Sequence, residues 1–162
     1  MNNSRISAVI SSLMICIAAF GMFLFPGFGK KQDPYAGRDK DGNIVIKAED
    51  LSSEKVSFIR IAKDSKIELL AILDEDGEVK ISLGTCQSCN GSPYAYYVQK
   101  GNRLICNNCG QAFPLSEIGK KGGGCHPILI PEEIVTKTED GITLDTEAVM
   151  EYEKLFEKVI AH

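Results

Sequence analysis

Two pairs of cysteines with the spacing of metal ligands lie in the middle of the chain. Cys86 and Cys89 form one C-x2-C pair, Cys106 and Cys109 form the other, and 16 residues separate the pairs. Two such pairs, each at a tight turn, can aim four thiolates at one point, which is the donor set of a tetrahedral metal site. The spacing therefore predicts a four-sulfur site that suits zinc or iron.

A glycine follows each pair, Gly91 after the first and Gly110 after the second. Glycine tolerates the positive φ of a tight reversal, so backbone amides can face the sulfurs and stabilise thiolate charge. Neither pair is followed by histidine, which excludes covalent haem attachment. The dense cysteine runs of ferredoxins are also missing, and on spacing alone this favours a single metal ion over a cluster.

A fifth cysteine, Cys125, lies between the glycines 122–124 and the pair His126-Pro127. The glycines let this segment approach a metal or a substrate closely, while the proline favours an extended backbone before it. Four roles are open for Cys125: an extra ligand, a free reactive thiol, half of a second metal site with His126, or a buried thiol without a function.

Other interpretations of the cysteines also stay open. In an extracytoplasmic domain they can form disulfides, although the five cysteines after residue 42 leave one without a partner. A thioredoxin-type redox pair would open a helix in an α/β domain, whereas these pairs lie between predicted strands. The sequence offers no nucleophile with its base, since His126 is the only histidine besides His162. We therefore expect a non-enzymatic component and not an enzyme.

Short strands are predicted to position these cysteines. Alternating and β-branched residues predict strands at 43–46, 56–62, 66–73 and 78–83, and Asp76-Gly77 predicts a hairpin turn between the last two. This hairpin leads directly to Cys86. A second hairpin, with arms at 94–99 and 103–106, is predicted around the turn at 100–102 and leads to Cys106.

A helix is predicted at residues 147–161, because apolar residues recur there at helical spacing and Thr146 or Asp145 can cap its start. We expect its apolar face to pack onto the sheet. Segments 41–51 and 140–149 share an Asp-Gly turn before a short alternating strand. This is compatible with two equivalent strands flanking the cysteine region, and equally with convergent turn chemistry.

An uncharged apolar stretch precedes these elements. No charged residue occurs at 6–28, between Arg5 and the pair Lys30-Lys31, and about 20 apolar residues suffice to cross a bilayer. The stretch predicts a transmembrane anchor, with a cleaved signal peptide as the alternative. Cys16 is then a bulk apolar residue of this anchor.

The chain is thus divided into an anchor or signal at 1–29, a linker at 30–42 and a metal-binding domain at 43–162. The short tail before the apolar stretch favours a single-pass protein of the cell membrane with an extracytoplasmic domain, whereas the basic residues at 30–40 would by the positive-inside rule keep the domain in the cytoplasm. The predicted fold class is α+β: a small, mainly antiparallel sheet, a rubredoxin-like or zinc-ribbon-like tetracysteine site between two hairpins, a C-terminal helix and the N-terminal anchor.

The overall composition limits the choice of partners. The chain has 162 residues, of which 44% are hydrophobic and 25% charged, and a net charge of −4. This length fits one modest domain with an appendage. A nucleic-acid reader needs a basic face, which this charge balance does not favour, so nucleic acid is not an expected partner.

With these motifs in view, the chain resembles the FtrD-like family, a group of membrane proteins described as iron–sulfur containing. The resemblance covers about Asn43 to Pro131. It rests on the first C-x2-C pair, the tyrosine-rich strand Tyr94–Tyr97, the run ICNNCGQAFPLSEIG at Ile105–Gly119 and the run GGCHPILIP at Gly123–Pro131. The chain departs from the family pattern at Thr85 and Gln87, where acidic residues are usual, and at His126, where asparagine is usual.

The resemblance implies a membrane-tethered redox or metal-binding component that accompanies iron uptake permeases. By motif position, the resemblance implies that five cysteines are ligands of mononuclear iron or of an iron–sulfur centre: Cys86, Cys89, Cys106, Cys109 and Cys125. His126 is a sixth candidate ligand. The expected partners are the membrane and an iron permease or another membrane redox protein. Many relatives have several transmembrane helices, whereas this chain has one candidate and cannot itself be a channel.

The leading hypothesis from the sequence is a membrane-tethered, cysteine-rich protein that handles electrons or metal in iron uptake. Two alternatives belong to other functional classes. One is a structural zinc site in a protein-interaction module, because zinc cannot change its redox state. The other is a thiol-based metallochaperone that holds a labile second metal at Cys125 and His126.

Overall fold

A computed structural model describes residues 35–160, in which short strands make up most of the regular structure. The predicted anchor at 1–29 lies outside these residues. They comprise one α-helix, α1 (Thr146–Met150), and eleven strands: β1 (Gly37–Arg38), β2 (Ile44–Lys47), β3 (Ser57–Arg60), β4 (Glu68–Leu73), β5 (Val79–Cys86), β6 (Tyr97–Lys100), β7 (Arg103–Cys106), β8 (Ala112–Pro114), β9 (Pro127–Leu129), β10 (Val135–Thr138) and β11 (Gly141–Leu144).

The strands form three sheets in which all neighbouring strands are antiparallel. The outer sheet has the order β1-β2-β11-β10, and the central sheet has the order β3-β4-β5-β9. The third sheet, β6-β7-β8, carries the second cysteine pair and is called the cysteine sheet below. Antiparallel neighbours suit this chain because most of its connections are short turns.

Both predicted hairpins are confirmed. In the turn from β4 to β5, Gly77 has a φ of +78°, and the Asp74 carboxylate accepts hydrogen bonds from the amides of Asp76 (3.1 Å) and Glu78 (2.9 Å). In the turn from β6 to β7, Gly101 has a φ of +59°. The turn residues visible in the sequence therefore place the reversals that lead to Cys86 and Cys106.

Strand β4 lies between two hydrophobic cores, which explains its nearly continuous apolar sequence ELLAIL. Leu69 and Ala71 point into a first core shared with the outer sheet. Leu70 and Ile72 point into a second core shared with the cysteine sheet. Since alternate residues of a strand face opposite sides, the central sheet packs on both faces and forms the middle layer of the domain.

The predicted α+β class is wrong. The described residues form three antiparallel sheets, and the predicted helix at 147–161 is reduced to the five residues of α1, followed by a 3-10 turn at Glu153–Phe156. No helix within residues 35–160 is long and apolar enough to cross a membrane.

After α1 the chain continues in tighter i to i+3 turns, and side chains of other elements bind two of its later backbone carbonyl groups. Asn90 Nδ2 donates to the Leu155 carbonyl oxygen (2.7 Å), and Lys66 Nζ donates to the Glu157 carbonyl oxygen (2.6 Å). These carbonyls are thus satisfied without the i to i+4 bonds of an α-helix. The predicted packing onto the sheet is confirmed, since Val149 and Phe156 are buried in the first core.

The two similar segments around the cysteine region lie side by side. β2 and β11 pair in the outer sheet, with Ile44 opposite Leu144 and Ile46 opposite Ile142. Asp145, one of the two caps that the sequence offered, caps α1 by accepting hydrogen bonds from the amides of Glu147 and Ala148. The outer sheet thereby joins the two ends of the described chain.

Candidate metal centre

Strand register brings the cysteine segments together. Cys86 ends β5 and lies opposite Pro127 of β9, so Cys125, two residues before Pro127, lies beside Cys86. Cys106 ends β7 and lies opposite Tyr97 of β6. A bridge between Thr85 and Tyr96 joins the central sheet to the cysteine sheet. Three separate loops therefore meet at one end of the domain.

Backbone hydrogen bonds close a tight turn around the second C-x2-C pair and another directly after the first pair. The amide of Gly110 donates to the Cys106 carbonyl oxygen (2.9 Å), and the amide of Ser92 donates to the Cys89 carbonyl oxygen (3.0 Å). The Ser92 hydroxyl donates to Asn108 Oδ1 (2.7 Å) and so joins the two turns. Gly91 and Gly110 have φ values of +96° and +75°, as the position of a glycine after each pair predicted.

The five thiols form two overlapping groups, each with its sulfur atoms within 4.8 Å of one another. The first group is Cys86, Cys89 and Cys106, and the second is Cys89, Cys109 and Cys125. All five are free thiols. The predicted rubredoxin-like or zinc-ribbon-like tetracysteine site is corrected by this arrangement, because Cys89 is common to both groups and a fifth thiol completes the second.

The site runs from the protein interior to the solvent. Cys86 and Cys106 are fully buried, Cys89 and Cys125 are partly exposed, and Cys109 is exposed. Burial raises the pKa of Cys86 and of Cys106. At the exposed edge, a hydrogen bond from the Gln111 backbone amide is the main cause that lowers the pKa of Cys109 to about 7.

This chemistry fits a bound cation. Buried thiols in an apolar core keep their protons unless a positive charge compensates the thiolates, and a metal ion supplies that charge. Thiolates are soft ligands that select iron, iron–sulfur clusters or zinc. The residues that can hold such a group are the five cysteines of the two overlapping groups.

The loop of Cys125 is fastened to the first cysteine pair by backbone contacts. The amide of Ser88 donates to the Gly124 carbonyl oxygen (2.9 Å), and the amide of Gln87 donates to the His126 carbonyl oxygen (3.3 Å). On the other side, the Sγ atoms of Cys109 and Cys125 lie 3.6 Å apart. The loop therefore places Cys125 between the two cysteine pairs.

The glycines before Cys125 have the conformational role that the sequence suggested. Gly123 and Gly124 both have positive φ values, +86° and +57°, which residues with a Cβ rarely adopt. Gly122 lies against the side chain of Leu129, and a Cβ there would approach Leu129 Cγ to 3.0 Å. The sharp turn thus favours glycine at 123 and 124, and the close contact with Leu129 favours glycine at 122.

His126, the sixth candidate ligand, belongs to neither thiol group. Its Nδ1 lies 3.1 Å from the Gly123 carbonyl oxygen, and its Nε2 lies 2.9 Å from Glu117 Oε2. Its ring packs against that of Phe113 at a centroid distance of 4.0 Å, with the two rings tilted by 38°. Hydrogen bonds from Lys121 and from His126 lower the pKa of Glu117, with Lys121 the larger cause.

Sequence reasoning missed two side chains around the thiols. Tyr97 is fully buried, and its hydroxyl donates to the Cys125 carbonyl oxygen (2.6 Å). The alternation in the segment YAYYVQ places Ala95 and Tyr97 on one face and indicates an inward tyrosine. Glu117 follows Cys109 by eight residues, and no local pattern of the sequence connects it with His126.

One comparison with known proteins identifies a family to which this chain is similar. The family model described as "Membrane iron-sulfur containing protein FtrD-like" matches residues 51–156. The match includes all five thiols and both strands that lead to the C-x2-C pairs. No curated protein and no solved structure matches the chain.

Proposed function

The chain belongs to the FtrD-like family of membrane iron–sulfur containing proteins, and on this premise we propose that its five cysteines hold an iron centre which handles electrons or metal in iron uptake. The observation that carries the proposal is that five free thiols from three loops converge. They form two groups, and the sulfur atoms of each group lie within 4.8 Å of one another. An iron–sulfur centre, when bound, would supply one-electron transfer at its iron, with the cysteine thiolates as its ligands.

The chain's own residues divide the work at this site. Cys86 and Cys106 are buried among apolar side chains, where low polarity and backbone amides tune the potential of a thiolate-bound centre. Cys109 is exposed and presents the opposite edge to solvent. An electron or a metal ion can thus pass through the Cys109 edge while the buried cysteines stay fixed.

The first test is a metal and sulfide analysis of the full chain, purified without oxygen in detergent. We expect iron with a sulfur-to-iron absorption band that bleaches reversibly on reduction, and acid-labile sulfide distinguishes a cluster from a single ion. The variants Cys86→Ser and Cys109→Ser should lose iron, whereas Cys16→Ser, at the one cysteine outside the proposed site, should keep it. A colourless protein that holds one zinc ion would overturn the proposal and make the site structural.

The role in iron uptake needs a separate test in cells. Deletion of the gene should lower the uptake of radioactive iron at limiting iron concentration, and the native chain should restore it. The Cys109→Ser variant should be present in the membrane without restoring uptake. Equal uptake in all strains would remove this role and leave the metal centre in place. The partner permease and the extracytoplasmic position of the domain stay predictions.

A further inference from the structure

We propose that His126 is a positioning residue that fixes the Cys125 thiol at the edge of the centre, and that it is not a ligand. The inference deepens the proposed function. It rests on that function in one respect only, namely that Cys125 is part of the metal site. Its evidence is the way in which the side chain of His126 joins the Cys125 loop to the segment that follows the second cysteine pair.

Both ring nitrogens of His126 already have protein partners. Nδ1 faces the Gly123 carbonyl oxygen at 3.1 Å, and Nε2 faces Glu117 Oε2 at 2.9 Å. A metal ligand directs the lone pair of a ring nitrogen at the metal, and at both nitrogens of His126 a protein oxygen lies in that place. Coordination through either nitrogen would require the ring to leave that nitrogen's present partner.

The Nδ1 contact closes the turn that contains Cys125. The backbone amide of His126 donates to the Gly123 carbonyl oxygen (3.1 Å), which is the same oxygen that Nδ1 contacts. The backbone amide and the Nδ1 atom of His126 thus both contact the carbonyl oxygen of Gly123, the first residue of this turn. Cys125 lies inside this turn, where Tyr97 binds its carbonyl oxygen.

The Nε2 contact fastens the turn to the rest of the site. Glu117 is held in place by Lys121, whose Nζ donates to Glu117 Oε1 (2.6 Å). Phe113, against which the His126 ring packs, is buried in the second core. Phe113 and Glu117 both follow Cys109 in the chain. His126 therefore connects Cys125 to the segment after Cys109, whose Sγ lies 3.6 Å from that of Cys125.

The side chain supplies rigidity that the neighbouring glycines lack. Gly123 and Gly124 have no side chains that restrict rotation, and their positive φ values are not enforced by sterics. Without the ring, the turn keeps its backbone bonds to the first cysteine pair but loses its connection to Glu117 and Phe113. Cys125 should then move away from Cys109 more often.

The test measures the alkylation rate of each cysteine by N-ethylmaleimide in the reduced, metal-free full chain, with peptide mass spectrometry as the readout. We expect His126→Ala to raise the rate of Cys125 several-fold and to leave Cys86 and Cys106 unchanged. His126→Asn, which places an amide N–H near the Nδ1 position, should restore part of the protection. His162→Ala is the matched control, because His162 is the only other histidine.

Each alternative gives a different result. Equal acceleration of all five cysteines would mean general loosening and would overturn the proposal, as would an unchanged Cys125 rate. If His126→Ala does not fold, Glu117→Ala removes the Nε2 contact together with the exposed Lys121 ion pair and should accelerate Cys125 alone, to a smaller extent. Iron content of the variants is measured in parallel: loss of iron in His126→Ala with an unchanged alkylation rate would identify a ligand. Absence of iron from the native chain would refute the proposed function without affecting the alkylation result.

Discussion

The five cysteines are chemically unequal although their motifs look alike. Cys86 and Cys106 each end a strand, and their side chains enter the second core. Cys109 lies one turn further along the chain and is exposed. Position relative to the end of a strand therefore decides which thiol is fixed in the interior and which one faces solvent.

The Tyr97 hydroxyl gives the first prediction at this scale. Tyr97→Phe removes its hydrogen bond to the Cys125 carbonyl oxygen and leaves that oxygen with the weak Cys86 Sγ contact at 3.5 Å. We expect the free energy of unfolding to fall by about 0.5 to 1.5 kcal/mol, because the partly buried carbonyl oxygen loses its main hydrogen-bond partner. Urea unfolding measures the change. Tyr94→Phe is the control, since Tyr94 is 51% exposed, and equal effects in both variants would contradict the assignment.

Glu68 predicts a pH dependence of stability. Its side chain begins β4 opposite Arg60 and is only 9% exposed. Burial raises its pKa from 4.5 to about 7, against the opposing charge of Arg60. The folded state thus binds the proton more tightly than the unfolded state. The resulting stability is fully present below pH 4.5 and is lost as the pH rises towards 7, with a total on the order of 3 kcal/mol.

The measurement compares unfolding free energies of the native chain and Glu68→Gln between pH 4.5 and pH 8 in the presence of a reductant. The native chain should lose more stability over this range than the variant, because glutamine does not titrate. Glu75→Gln, at an exposed glutamate in the hairpin turn, is the matched control. Parallel pH profiles of the native chain and Glu68→Gln would show that Glu68 does not carry the effect.

At the scale of elements, β4 and α1 show how packing changes a local preference. β4 is apolar on both faces because it separates two cores, although a half-exposed strand would alternate. The residues after α1 keep their helical spacing of apolar side chains, yet their carbonyl groups bind Asn90 and Lys66. The periodicity therefore indicated the buried face correctly and the length of the helix wrongly.

The cap of α1 gives a prediction for this scale. Asp145→Ala removes the side-chain acceptor for the amides of Glu147 and Ala148. A lost N-cap costs about 0.5 to 2 kcal/mol, and we expect thermal unfolding to show a corresponding decrease. The exposed Glu151 at the other end of α1 serves as the control, and Glu151→Ala should have a smaller effect. An equally stable Asp145→Ala variant would mean that tertiary contacts alone hold the helix.

At the scale of the whole described domain, the two cores differ in what holds them. The first core contains aliphatic and aromatic side chains and no cysteine. The second contains Cys86 and Cys106, with Cys89 and Cys125 packed against it. A bound metal therefore adds its stabilisation to one side of the central sheet, because metal binding at thiolates is coupled to local folding.

Removal of the metal should accordingly loosen one half of the domain. We expect hydrogen exchange of the metal-free, reduced chain to accelerate in β6, β7 and β8, about tenfold for each 1.4 kcal/mol of local stability lost. The outer-sheet strands β2 and β11 should keep their protection. Mass spectrometry of peptic peptides before and after chelation measures both regions, and uniform acceleration would indicate a single cooperative unit.

The sequence by itself determined the features that depend on a few neighbouring residues. The spacing of the C-x2-C pairs, the Asp-Gly turn of the β4–β5 hairpin and the Asp145 cap are local, because turn geometry and capping involve residues only a few positions apart. The alternation of apolar residues likewise placed most strands. These features are decided by backbone conformation and short-range hydrogen bonds.

Only the tertiary structure decided which distant residues meet. It paired β2 with β11, stacked the central sheet between two cores, shared Cys89 between two thiol groups and placed His126 against Glu117. Such contacts depend on how whole sheets pack and on the register of strands far apart in the chain, and local patterns do not encode them. For the same reason, the geometry turned a predicted histidine ligand into the proposed support of a cysteine.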